Sequence, residues 1–228
     1  MKEQQAVNNL DYQIIYEALP HESLKQLPIS VQEEATELYR LIRSKPAQVI
    51  APLQKLTEKY PAVPVFYNYL RNAYEMTGQF DKADRLLELI YRKYPNYLFG
   101  KTNYAFRCLS KSKPEKLVEI FGNKFDLKLL YPHRNSFHIS EFTAFTSVIA
   151  LYHDMIGDRR NARKYYRSLK YWAPNHSLTK VVRIQLYPTL SQRLFDIFYS
   201  LLEILKANAT KLVTVNNVNH SPNYSRPF

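Results

Sequence analysis

Residues 64–95 read PVFYNYLRNAYEMTGQFDKADRLLELIYRKYP. The clearest unit of the chain opens on Pro64 and closes on Pro95. The spacing predicts a helix over Val65–Met76. Gly78 follows it and can take the left-handed conformation that closes a helix. Asp81 then reads as the N-cap of a second helix that runs to Lys93, where Pro95 stops it. Leu86, Leu87, Ile90 and Tyr91 form one apolar stripe on that second helix. Two helices of this length joined by a short link make a helical hairpin.

The hairpin recurs. Lys59-Tyr60-Pro61 and Lys93-Tyr94-Pro95 are the same tripeptide, and the two prolines are offset by 95 − 61 = 34. A fixed period of that size marks stacked helical hairpins. A second good copy places Thr146, Ile149, Ala150, His153, Gly157, Ala162, Tyr166 and Pro174 at corresponding points. A worn copy lies between, with helices expected at Phe99–Leu109 and Pro114–Phe121. Another worn copy precedes the clear one, with helices near Glu33–Arg43 and Ala47–Lys59. Pro95 and Pro174 are offset by 174 − 95 = 79, two periods of 34 plus 11. The excess is assigned to an irregular stretch within residues 122–138.

Tyr67, Leu70, Tyr74, Ala83, Leu87 and Pro95 match the aromatic, Leu, Tyr, Ala, large-apolar and Pro slots of the tetratricopeptide repeat. On these residues the chain resembles the tetratricopeptide-repeat superfamily over roughly residues 30–175. Segments such as Tyr97-Leu98-Phe99-Gly100 and Leu130-Tyr131-Pro132-His133 are similar to bacterial members. Arg71 departs from the pattern, since it stands where a small residue lets two helices approach. Either the helices are further apart there or its stem turns outward.

The resemblance implies an all-α fold, a right-handed solenoid of about four hairpins over residues 29–175. Residues 1–28 would be an extension, with an amphipathic piece at Asp11–Leu19. A partial repeat from Ser177 to Gln185 and an apolar face of Leu190, Leu194, Ile197, Phe198, Leu201 and Leu205 would cap the stack over 176–206. Residues 207–228, rich in Asn, Ser and Pro, read as a flexible tail. The alternative use of 190–205 is a homodimer contact.

Composition narrows the function. Hydrophobic residues make up 46%, so the chain can bury a core. It has only 4 glycines and no glycine-rich phosphate loop. Its single cysteine, Cys108, excludes an internal disulfide and a Cys-based zinc site, and reads as a buried structural thiol. His133, His138, His153 and Glu141 lack the spacing of metal ligands. No apolar run is long enough to span a bilayer, and the start lacks the apolar core of a signal peptide. The expectation is a non-catalytic cytoplasmic protein without metal or cofactor.

Two binding surfaces are expected. By resemblance, first-helix residues Asn68, Asn72, Glu75, Ser147, Leu151 and Asp154 would line a concave groove for a protein or peptide partner. The cations that clamp a C-terminal carboxylate in co-chaperone members have no counterpart beside Asn68 and Asn72. The second surface follows from charge. Residues 1–90 carry 10 Lys/Arg and 12 Asp/Glu, whereas residues 91–228 carry 22 and 8, so the net charge is −2 against +14. Arg159, Arg160, Arg163, Lys164, Arg167 and Lys170 crowd six cations into one short segment, with Tyr165 and Tyr171 among them. That pattern suits nucleic acid or another polyanion, and by resemblance it would lie on the convex side.

Overall fold

The computed structural model describes residues 10–17 and 21–191. The chain divides into two units, Met1–Val182 and Arg183–Phe228, and only residues 183–191 of the second are described. The described residues are mostly helical, with eleven helices and two short strands. In chain order these are β1 (Gln13–Ile15), α1 (Glu22–Lys25), α2 (Ile29–Leu41), α3 (Pro46–Lys59), α4 (Pro64–Met76), α5 (Phe80–Lys93), α6 (Leu98–Ser110), α7 (Lys116–Phe121), α8 (Leu127–Leu130), β2 (Ser136–His138), α9 (Ile139–Met155), α10 (Arg159–Trp172) and α11 (Ser177–Leu186).

Each helix from α2 to α6 packs on the next in sequence, α9 packs on α10, and α6 packs on α9 across the intervening segment. Pro46 and Pro64 stand in the first turns of α3 and α4, as their fixed φ favours. Gly78 and Gly157 close α4 and α9 with φ of +72° and +82°. These turns set the next helix back along the previous one.

Burial follows the repeat period. Tyr74 and Cys108 are both buried, as is His153 at the corresponding point of α9. Val49, Ala83, Leu117 and Ala162 are the matching buried residues of α3, α5, α7 and α10. Tyr94 donates its hydroxyl to the Pro61 carbonyl at 2.6 Å, and Tyr131 donates to the Asn96 carbonyl at 3.1 Å. Each of these bonds reaches back by close to one period. The Tyr91 and Tyr104 rings stack face to face at 4.1 Å between α5 and α6.

Several expectations need correction. Asp81 is not an N-cap: α5 starts one residue earlier, Gln79 is the N-cap and makes no side-chain capping bond, and Asp81 sits in the first turn. There a carboxylate still suits the positive end of the helix dipole. The stretch 122–138 contains a one-turn helix, α8, capped by Asp126, and the strand β2. The amphipathic piece Asp11–Leu19 holds the strand β1, which pairs in parallel with β2 (Ile14 opposite Phe137). This pairing buries Phe137 edge-on to Tyr12. Arg71 does not turn its stem outward. It is buried and lies along α4 towards Glu75.

Of the apolar face expected at 190–205, Leu190 is described and is exposed, while Leu194, Ile197, Phe198, Leu201 and Leu205 lie outside the described residues. The tail at 207–228 also lies outside them.

Candidate functional site

A groove of about 1130 Å³ opens along α2, α4, α6 and the N-terminal end of α9. Its lining repeats with the chain period. Val65, Tyr69 and Asn72 of α4 line it, and so do Phe99, Asn103 and Phe106 of α6, each one period on. Ala144 continues the row on α9, offset from Val65 as Pro174 is from Pro95. Residues on one face of successive first helices therefore build one surface.

The floor is polar. Asn103 Nδ2 donates to Asn68 Oδ1 at 3.0 Å, which ties α6 to α4 and fixes both amides. Arg71 Nη2 donates to Asn72 Oδ1 at 2.8 Å, and Nη1 pairs with Glu75. Arg71 Nε is buried with no hydrogen-bond partner among the described residues. A buried guanidinium nitrogen in that condition carries a desolvation cost. Tyr97 lies beside this group, and burial, followed by the nearby Tyr69, drives its phenol far above the usual range. Burial, then Tyr39, pushes Tyr69 up to about 12.

Three histidines stand at the edge of the groove: His21, His138 and His176. Each turns Nδ1 onto a helix start. Nδ1 accepts the backbone N–H of Ser23, Ser140 and Leu178 respectively, each at 3.2 Å. Ser23 and Ser140 also place their hydroxyls 2.8 and 2.7 Å from the same nitrogens. An accepting Nδ1 carries no proton, so the ring proton is on Nε2. Glu141 completes the cap of α9 by accepting from His138 N at 3.0 Å, and both of its oxygens receive the Arg134 guanidinium, at 2.9 and 2.7 Å. Burial lowers the pKa of His21 and of His176.

Of the six expected groove residues, Asn68 and Asn72 line the groove. Glu75 is exposed and joins it only through Arg71. Ser147 is sealed inside α9, and Leu151 and Asp154 are half-buried further along that helix. The reason is the length of α9: it runs 17 residues and meets the groove at its start, not its middle. Sequence reasoning missed Arg71, Asn103, Phe106 and the histidine caps. The signal for the caps was present in the twofold His-x-Ser at 21–23 and 138–140.

The second expected surface is one face of α10. Arg159, Arg160, Arg163, Lys164, Arg167 and Lys170 are all exposed. Ala162 and Leu169 are buried on the opposite side of the helix, and Tyr165 is anchored by donating to the Phe125 carbonyl at 2.8 Å. Asp158 caps the helix by accepting from Asn161 N at 3.1 Å, and that bond holds its carboxyl below the usual range.

Among the described residues no three His, Cys, Asp or Glu side chains come together as a metal site. His138 and Glu141 are spent on the helix cap, and His153 is packed flat on the Tyr165 ring. Burial raises the pKa of the Cys108 thiol, which disfavours the thiolate. No helix of the described residues is long and apolar enough to cross a membrane. Comparison with protein-family models, with curated proteins and with solved structures finds no match for this chain.

Proposed function

We propose that this chain is a non-catalytic, cytoplasmic binding module of the tetratricopeptide type, a right-handed solenoid of about four hairpins whose groove takes an extended segment of a protein partner. The observation that carries the reading is the groove floor. Asn68, Asn72 and Asn103 present amides, each able to donate and accept, along two neighbouring first helices. An extended peptide offers N–H and C=O groups in alternation, and such amides suit it. Val65, Phe99, Phe106 and Ala144 give apolar ground for its side chains. Arg71 braces this floor through Asn72 and Glu75.

The periodic spacing of lining residues and of buried residues supports the repeat assignment. Repeats of this kind place binding, not covalent chemistry, on their concave side.

The test is selection of a phage-displayed peptide library on the full-length protein, followed by titration of the selected peptides into variants. Arg71→Met and Asn103→Ala should each weaken binding at least tenfold while the helical signal holds. A photo-crosslinking residue at Phe106 should capture the peptide, and one at Leu89, exposed on α5, should not. Selected peptides that bind all variants alike and crosslink from position 89 would overturn the reading.

A further inference from the structure

The α10 helix carries more charge than its place in the fold requires. The comparable helices α3 and α5 also follow a first helix and pack back on it. Helix α3 has two cations and one carboxylate, and α5 has four cations and three carboxylates, so each is net +1. Helix α10 has six cations and no carboxylate. A solvated outer face is thus achieved elsewhere in this chain by balanced charge. From Arg159 to Ser191 there are eight Lys or Arg and no Asp or Glu. Like charges three and four positions apart repel one another, and α10 has six such cation pairs where α3 and α5 have one each.

The arrangement has a direction. At about 100° per residue, the six cations and Tyr171 fall within one arc of roughly 140°, and Ala162, Tyr165, Leu169 and Trp172 fall opposite. Tyr171 is 56% exposed, so an aromatic face stands in the cationic stripe, open to solvent. Four of the six cations are arginine, whose planar fork matches phosphate oxygens in pairs. The stripe spans roughly 16 Å of helix at about 1.5 Å per residue, enough for several successive phosphates.

We propose that the outer face of α10 binds single-stranded nucleic acid, with Arg159, Arg160, Arg163, Lys164, Arg167 and Lys170 on phosphates and Tyr171 as a platform for one base. Charge complementarity selects a polyanion. The exposed tyrosine selects a strand whose bases are unstacked and free to lie on a ring. A bilayer is a poorer occupant, because the exposed side chains of α10 include no Leu, Ile, Val, Met or Phe to enter it. This surface is separate from the groove and does not depend on what the groove holds.

The experiment is fluorescence anisotropy of a labelled 12-nucleotide oligouridylate with the full-length protein, at rising salt. With about four phosphates engaged, log K should fall with log salt at a slope near −3. Changing Arg160, Arg163, Lys164 and Arg167 together to Gln leaves two of the six cations and should flatten that slope to about −1.4 or shallower and weaken binding more than tenfold at about 0.1 M salt, with circular dichroism unchanged. Tyr171→Ala should weaken binding about fivefold or more and leave the slope intact. Arg85→Gln with Arg92→Gln on α5 should change nothing.

Equal binding by the quadruple variant overturns the proposal, as does retention by anionic vesicles without retention of the oligonucleotide. A duplex of the same length bound as tightly as the single strand, or a Tyr171→Ala variant with parental affinity, overturns the single-strand assignment.

Discussion

Gly100→Ala is the substitution in which two known effects oppose each other and the structure decides the sign. Gly100 is the third residue of α6. Alanine there favours the helix by about 0.5–1 kcal/mol, through a smaller loss of backbone freedom on folding. Against this, a Cβ at position 100 would lie 2.9 Å from Ile90 Cγ2 of α5 and 3.4 Å from Tyr97 Cδ1. Carbon atoms rest at about 3.5–4.0 Å, so the Ile90 methyl must move by more than half an ångström. Ile90 is fully buried and Tyr97 nearly so, which leaves neither room to move. Overpacking of this kind costs about 1–3 kcal/mol. The net expectation is a loss of about 1 kcal/mol, read as a lower urea midpoint at unchanged slope. Ile90→Leu takes the methyl off the β carbon. In that background Gly100→Ala should be neutral or stabilising, so the double-mutant cycle should show a coupling of about 1 kcal/mol or more. A Gly100→Ala protein stabilised by about 1 kcal/mol, with no coupling to position 90, would refute the close approach of α5 and α6.

Ala150 is fully buried on α9, so Ala150→Leu should cost about 1–3 kcal/mol by urea unfolding, and Ala83→Leu on α5 a similar amount. Arg134→Ala leaves the nearly buried Glu141 carboxylate with only its backbone donor and should cost about 1–3 kcal/mol, whereas Glu141→Gln keeps an acceptor for His138 N and should cost less. Stability should fall with acidification: burial lowers the folded-state pKa of His21 and His176, so the unfolded chain takes up protons first. Their contribution is complete above the ordinary histidine value near 6.5 and declines as pH drops through it towards the lowered values. His21→Asn with His176→Asn, which keep a cap acceptor, should flatten the difference in urea midpoint between about pH 7.5 and 5.5, and an unchanged difference would show that these caps do not titrate.

What the sequence disclosed and what it withheld divide by range. The helix at residues 64–76 was legible because its signals are local: proline at the first turn, apolar residues at helical spacing and Gly78 to close it. Signals of the same kind located α3, α5 and α6 closely. The parallel strands were not legible. Such short strands carry no usable alternation, and Ile14 meets its partner Phe137 from beyond all the helices α1 to α8. The misreading of Asp81 has a similar origin. A carboxylate near a helix start satisfies the dipole from the first turn as well as from the cap, so composition alone does not choose between them.

The groove shows the limit most clearly, since reading it requires the phase between helices and not only their existence. The offset from Pro95 to Pro174 carries Asn68, Asn72 and Glu75 onto Ser147, Leu151 and Asp154. Yet α9 starts well upstream of that register and reaches the groove with His138, Ser140 and Ala144. Ala144 keeps the offset from Val65, and α9 meets the surface only by its first turns. Ile149 and Ala150 of the same helix are fully buried. Arg71 belongs to the same account. A large residue in a small slot is tolerated because its guanidinium reaches along α4 to Glu75 and Asn72. That leaves one nitrogen without a partner among the described residues. The large side chain at a position where the resemblance expects a small one and the unpartnered nitrogen are a single feature, and Arg71→Met should remove that nitrogen.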